Sequence, residues 1–175
     1  MDIGKRLQEE HSKNLTSAIV KYVDADPKKI KVLMSLFLHG DYTMSQRSGW
    51  ALSECAIKYP ELITRYMGQL VKKLGERNHH PAVYRNILRI FQATEIPQKY
   101  SAKMVELSFG FVMNETEPIA IRAFSITVAS NLCKQFPDLK NELLVILNTL
   151  SQLPQKPAIG YRVKSALKEL QKIKS

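Results

Sequence analysis

The sequence predicts an all-α fold, a right-handed α–α superhelix of about four stacked helix pairs closed by a terminal helix. Three observations predict it. An arginine recurs at Arg47, Arg85, Arg122 and Arg162, at intervals of 38, 37 and 40 residues, and a fixed period in that range marks a chain built from stacked helical hairpins. Prolines keep phase with it: Pro81 and Pro118 stand four residues before their arginine and Pro157 five, while Pro60, Pro97 and Pro137 fall between the arginine segments. Between the prolines apolar residues recur at three- and four-residue steps, and no alternating run of β-branched residues bounded by turn signals interrupts them.

In chain order, the first dozen residues offer Ile3 and Leu7 to a core and read as a frayed helical lead-in. A first pair follows, Ser12–Val23 and Pro27–Leu38, laid out like the others but without the arginine. Each later unit opens with an arginine-bearing A helix. Proline suits the first position of such a helix, where a missing N–H loses no partner. The helix stops before the next proline, which cannot continue it, so corners are predicted at Tyr59–Pro60, Ile96–Pro97 and Phe136–Pro137. The B helices then read as Glu61–Leu74, Gln98–Met113 and Asp138–Leu153. In the first of these, Leu62, Ile63, Tyr66, Met67, Leu70, Val71 and Leu74 form a stripe wide enough to pack on two neighbours.

The terminal helix has a narrower stripe of Ile159, Val163, Ala166, Leu167, Leu170 and Ile173, with Lys164, Lys168 and Lys172 in a row opposite. One apolar and one charged face is what the end of a repeat stack requires. The whole chain, 1–175, thus reads as one repeat domain, with repeats at about 12–39, 41–76, 79–114 and 117–153 and a terminal helix at 157–174. Leu70, Phe124, Ile126, Leu132, Leu143, Leu147 and Leu167 are its expected core.

The period, the paired helices and the proline followed by an apolar–Arg step resemble HEAT and related armadillo-type repeats over roughly residues 12–175. In that family an aspartate six residues before the arginine commonly ties consecutive repeats together. Asp41 and Arg47 match the pair; the equivalent positions elsewhere hold His79, Thr116 and Lys156, with Glu117 one residue off register. The resemblance implies a right-handed solenoid whose B helices line its concave side, and it implies no single partner.

Composition narrows the function classes. A hydrophobic fraction of 45% suits an ordinary folded domain. No apolar run is long enough for a membrane span, and the start MDIGKRLQEEHSKN has no signal-like apolar segment. A cytoplasmic protein without membrane contact is expected. The two cysteines, Cys55 and Cys133, suit a reducing compartment. They lie on A helices two repeats apart, about 20 Å at helix-packing spacing, too far to bridge. The adjacent His79 and His80 lack the further ligands a tetrahedral zinc site needs. Neither metal nor cofactor is expected, and no phosphate loop, HExxH, GxSxG or Cys–His–Asp trio points to catalysis.

With 26 Lys and Arg against 16 Asp and Glu the net charge is +10. It is uneven: from Gln155 to Ser175 stand Lys156, Arg162, Lys164, Lys168, Lys172 and Lys174 against Glu169 alone. The candidate partner-binding residues are accordingly Arg65, Lys72, Lys73, Lys99 and Lys103 on the B helices, and Lys164, Lys168 and Lys172 on the terminal helix. Such surfaces suit an acidic partner or serve only to keep the protein soluble. The arginine series either ties repeats together through carboxylates and orphan carbonyls or presents a line of anion-binding groups. Trp50, the single tryptophan, fits packing between repeats or stacking on a ligand. The reading is a non-catalytic binding or scaffold module for another protein, its oligomeric state open. The alternative is a DNA- or RNA-binding protein, with a HEAT-like alkylpurine DNA glycosylase as its most specific form.

Overall fold

The computed structural model describes residues 1–76 and 78–173. Among them are ten α-helices and no strand: α1 (Ile3–Glu9), α2 (Lys13–Val23), α3 (Pro27–His39), α4 (Tyr42–Lys58), α5 (Met67–Gly75), α6 (Pro81–Ala93), α7 (Gln98–Met113), α8 (Ile119–Gln135), α9 (Lys140–Ser151) and α10 (Pro157–Gln171). Lys174, counted in the basic end, lies outside the described residues. The chain falls into two compact units, Met1–Glu95 and Ile96–Ser175. No described helix is long and apolar enough to cross a membrane.

Side-chain caps set the early helices. Asp2, Ser12, Asp26 and Asp41 accept from the backbone N–H of Lys5, Leu15, Lys28 and Met44 at 2.8–3.0 Å, contacts worth about 0.5–2 kcal/mol each. Pro27, Pro81 and Pro157 occupy the first turns of α3, α6 and α10. Pro118 stands one residue earlier, just before α8. The proline corners fall where proline chemistry puts them: α4 stops at Lys58, α8 at Gln135, and α7 begins directly after Pro97.

Three details depart from the sequence reading. The lead-in is a capped helix with Ile3 and Leu7 3% and 2% exposed, because an i, i+4 pair shares one face and both residues dock. Two B helices start late. Pro60–Leu62, Thr64–Tyr66 and Pro137–Leu139 wind as 3₁₀ turns first, and the tighter winding accompanies burial of the adjacent Leu62 and Ile63. Pairing also differs from a hairpin folded at the proline. In the first unit α3 packs along α4 rather than on α2, and in the second α9 lies more closely on α10 than on α8. The two-residue link Gly40–Asp41 permits this; a Cβ at Gly40 would come 2.4 Å from the Leu36 carbonyl oxygen.

One helix organises each unit. In the first, α4 touches α1, α2, α3 and α6; in the second, α8 touches α7, α9 and α10. Such helices need slender surfaces on several sides. α4 buries Ser45, Ser48, Gly49, Ala51, Ser53 and Ala56, and α8 buries Ala123, Ser125, Ala129, Ser130 and Cys133. Of the expected core, Leu70, Ile126, Leu132, Leu143 and Leu147 are 0–1% exposed. Phe124 and Leu167 are only half-buried; the Phe124 ring instead seats the Arg162 guanidinium at 5.6 Å.

Candidate functional site

The last turn of a helix leaves carbonyl oxygens without N–H partners and carries partial negative charge. This chain meets several such ends with a cation from another helix. Arg47 Nη1 donates to the Leu7 and Gln8 carbonyls at 2.7 and 2.9 Å, at the end of α1. Lys29 Nζ donates to Tyr22 at the end of α2, and Lys73 Nζ to Leu38 at the end of α3, both at 2.8 Å. Arg122, 7% exposed, donates through Nε and Nη2 to Val112 near the end of α7, each at 3.3 Å. Lys140 Nζ reaches the Ile173 carbonyl beyond α10 at 2.7 Å.

The arginine series is therefore largely structural, and through orphan carbonyls rather than an aspartate ladder. Asp41 spends its carboxylate on the Met44 N–H at 2.8 Å. Arg162 donates to Thr127 Oγ1 of α8. Arg85 alone of the four is exposed.

The eight candidate binding residues separate by the same criterion. Lys73 is committed to the fold, and burial holds its pKa below the ordinary lysine value. Lys172 pairs with Glu169, whose other oxygen meets Lys134 at 3.1 Å; these hydrogen bonds, Lys172 first, hold the Glu169 carboxyl below its usual range. Lys103 pairs with Glu106 at 2.7 Å and Lys99 lies over the Tyr100 ring at 4.9 Å, both exposed on α7. Arg65, Lys72, Lys164 and Lys168 are exposed. Lys72 and Lys73 are brought together with Gln69, His39, Glu76 and His79 around a cleft of about 350 Å³ in the first unit. Lys164 and Lys168 stand one turn apart on α10 in the second.

The histidine pair serves local structure. His79 Nε2 contacts Glu76 at 2.7 Å, which lowers the Glu76 pKa, and His80 Nδ1 accepts from Ala82 N–H at 3.1 Å as the cap of α6. No group of three or more His, Cys, Asp or Glu among the described residues is placed to hold a metal. The thiols are 0% exposed. Burial, then the charge of Glu54, pushes Cys55 up to about 12; burial, then Glu142, pushes Cys133 up to about 11. The smaller shift, from 9.0 to about 11, removes about a hundredfold of the thiolate at pH 8. A disulfide reagent at that pH should label both cysteines at least that much more slowly in the folded than in the urea-denatured protein. Equal rates would show the thiols to be accessible.

Sequence reasoning missed a groove of about 590 Å³ between α2 and α4, with Trp50 among its lining residues. Trp50 is half-buried, its ring edge-on to His11 at 5.5 Å between centroids. The readable signal was Ile57, an isoleucine two turns from Trp50 that falls off the buried stripe of α4 and is 50% exposed.

A family model described as a HEAT repeat domain matches residues 3–170. No curated protein matches the chain.

Proposed function

The chain belongs to the HEAT repeat domain family, and from that premise we propose that it is a non-catalytic binding module for an acidic protein partner. One observation carries the reading: the cations divide into a set consumed by helix ends and a set, Lys72, Lys164 and Lys168 foremost, that is exposed and makes no hydrogen bond or ion pair among the described residues. Charge retained without a structural use is suited to steering and holding a partner of opposite sign. The alternative glycosylase form finds no support at the tryptophan, because Glu54, the carboxylate one turn from Trp50, is ion-paired with Arg89.

The test compares the wild type with Lys72→Gln/Lys164→Gln/Lys168→Gln, using a labelled Asp/Glu-rich peptide and labelled duplex DNA as probes. The peptide should bind the wild type and lose at least about tenfold in affinity, 1.4 kcal/mol, in the variant. Unchanged peptide affinity would remove the proposal. DNA binding tighter than the peptide's and falling steeply with salt would replace it with the nucleic-acid reading.

A further inference from the structure

The groove between α2 and α4 combines apolar side chains with a set of lysines. Apolar residues line it on both sides, Val20 on α2 and Trp50 and Ile57 on α4, beside the hydroxyl residues Thr16 and Ser17; its lining also carries Lys13, Lys21 and Lys58. The three lysines are exposed, and Ile57 is half in solvent. The one acid among the lining residues, Glu54, is already paired with Arg89 of α6, so the rim's positive charge is not neutralised from within the groove. Lys58 leans on the Tyr59 ring at 5.0 Å, and Tyr59 occupies Asp24 through a 3.4 Å hydrogen bond.

The dimensions define the occupant. Lys13 and Lys21 are two turns apart on α2, and Trp50 and Ile57 two turns apart on α4, about 10–12 Å in each case at 1.5 Å per residue. That length accepts about two turns of a third helix laid against the first two at ordinary packing distance. An apolar floor asks for apolar anchors at i, i+3 or i+4, and i+7, while a lysine rim asks for carboxylates beside them. Nucleic acid is a poorer match, since its phosphates would gain nothing from Val20 and Ile57. We propose that this groove is a docking site for a short amphipathic helix of a partner protein, acidic on its flanks and anchored by apolar residues against Trp50 and Ile57. The proposal rests on the binding-module reading and deepens it by assigning a second, shaped surface, formed by α2 and α4 of the first unit.

Trp50 is the chain's single tryptophan, so its emission reports on this groove alone. The probe is a labelled, tryptophan-free helical peptide with Leu, Leu and Phe at i, i+3 and i+7 among glutamates; a scrambled peptide of the same composition is the control. The variants are Lys13→Glu/Lys21→Glu and Ile57→Ser, exposed positions whose replacement should leave far-UV circular dichroism unchanged. The patterned peptide should bind at least about tenfold more tightly than the scramble, shift the Trp50 emission, and lose both effects in each variant. Three results overturn the proposal. Binding that leaves Trp50 unperturbed and is lost in Lys164→Gln/Lys168→Gln moves the site to α10 and leaves the binding-module reading standing. No binding of either acidic peptide to any surface removes both. Self-association of the wild type that Ile57→Ser abolishes assigns the groove to a second copy of the chain.

Discussion

Phe37→Ala is expected to destabilise the protein by about 3–5 kcal/mol, read as a lower urea midpoint at unchanged slope. Phe37 is among the largest fully buried side chains, 0% exposed on α3. Its ring lies where α4 has Gly49: a Cβ there would come 2.9 Å from Phe37 Cε2 and 2.5 Å from Asn86 Nδ2 of α6. Three helices thus meet at a point with no spare atom. A deleted ring leaves a void that α4 cannot close, because α1 and α2 also hold it in place. A loss below about 1 kcal/mol would mean that the site collapses freely and that the packing of α3 on α4 is misassigned.

Leu147→Ala should cost about 2–5 kcal/mol by the same measurement. Leu147 is 0% exposed on α9 and shares a buried cluster with Leu143, Leu150, Val163 and Leu170. Val145, two residues away, is 69% exposed, so Val145→Ala should stay within about 0.5 kcal/mol. Equal effects at the two positions would show that α9 is rotated relative to its buried face.

Much of this architecture was legible because the code for it is local. Proline acts on its own backbone, so Pro60, Pro97 and Pro137 mark the corners without reference to the rest of the chain. The corner at Pro97 likewise placed the start of α7, read as Gln98–Met113, to the residue. What depends on other helices was not legible. The destination of Lys73 is a carbonyl 35 residues earlier, and that of Arg47 one 40 residues earlier; no pattern around either lysine or arginine names them. Phe124 sits at a helical apolar position, yet it is only half-buried, its ring meeting the Arg162 guanidinium of α10. The central roles of α4 and α8 did leave a trace, a run of Ser, Gly, Ala and Cys across most faces, but small residues state only that something approaches closely. The groove beside Trp50 is of the same kind: one wall lies between Lys13 and Lys21 and the other between Trp50 and Lys58, far apart in the chain.

The fold consumes some of its cations and leaves others exposed, and thermal melting tests that division directly. Arg122→Met keeps the buried stem and removes the donor to the Val112 carbonyl. Leaving a buried acceptor unpaired costs about 1–3 kcal/mol, or a fall of about 2–12 °C in Tm for a chain of this size. Lys72→Gln, Lys164→Gln and Lys168→Gln, each made singly, should melt within about 2 °C of the wild type, since an exposed substitution of this kind shifts stability by at most about 0.5 kcal/mol. A single-lysine variant that melts as low as Arg122→Met would contradict the division, because a lysine assigned to a partner would then be holding the fold.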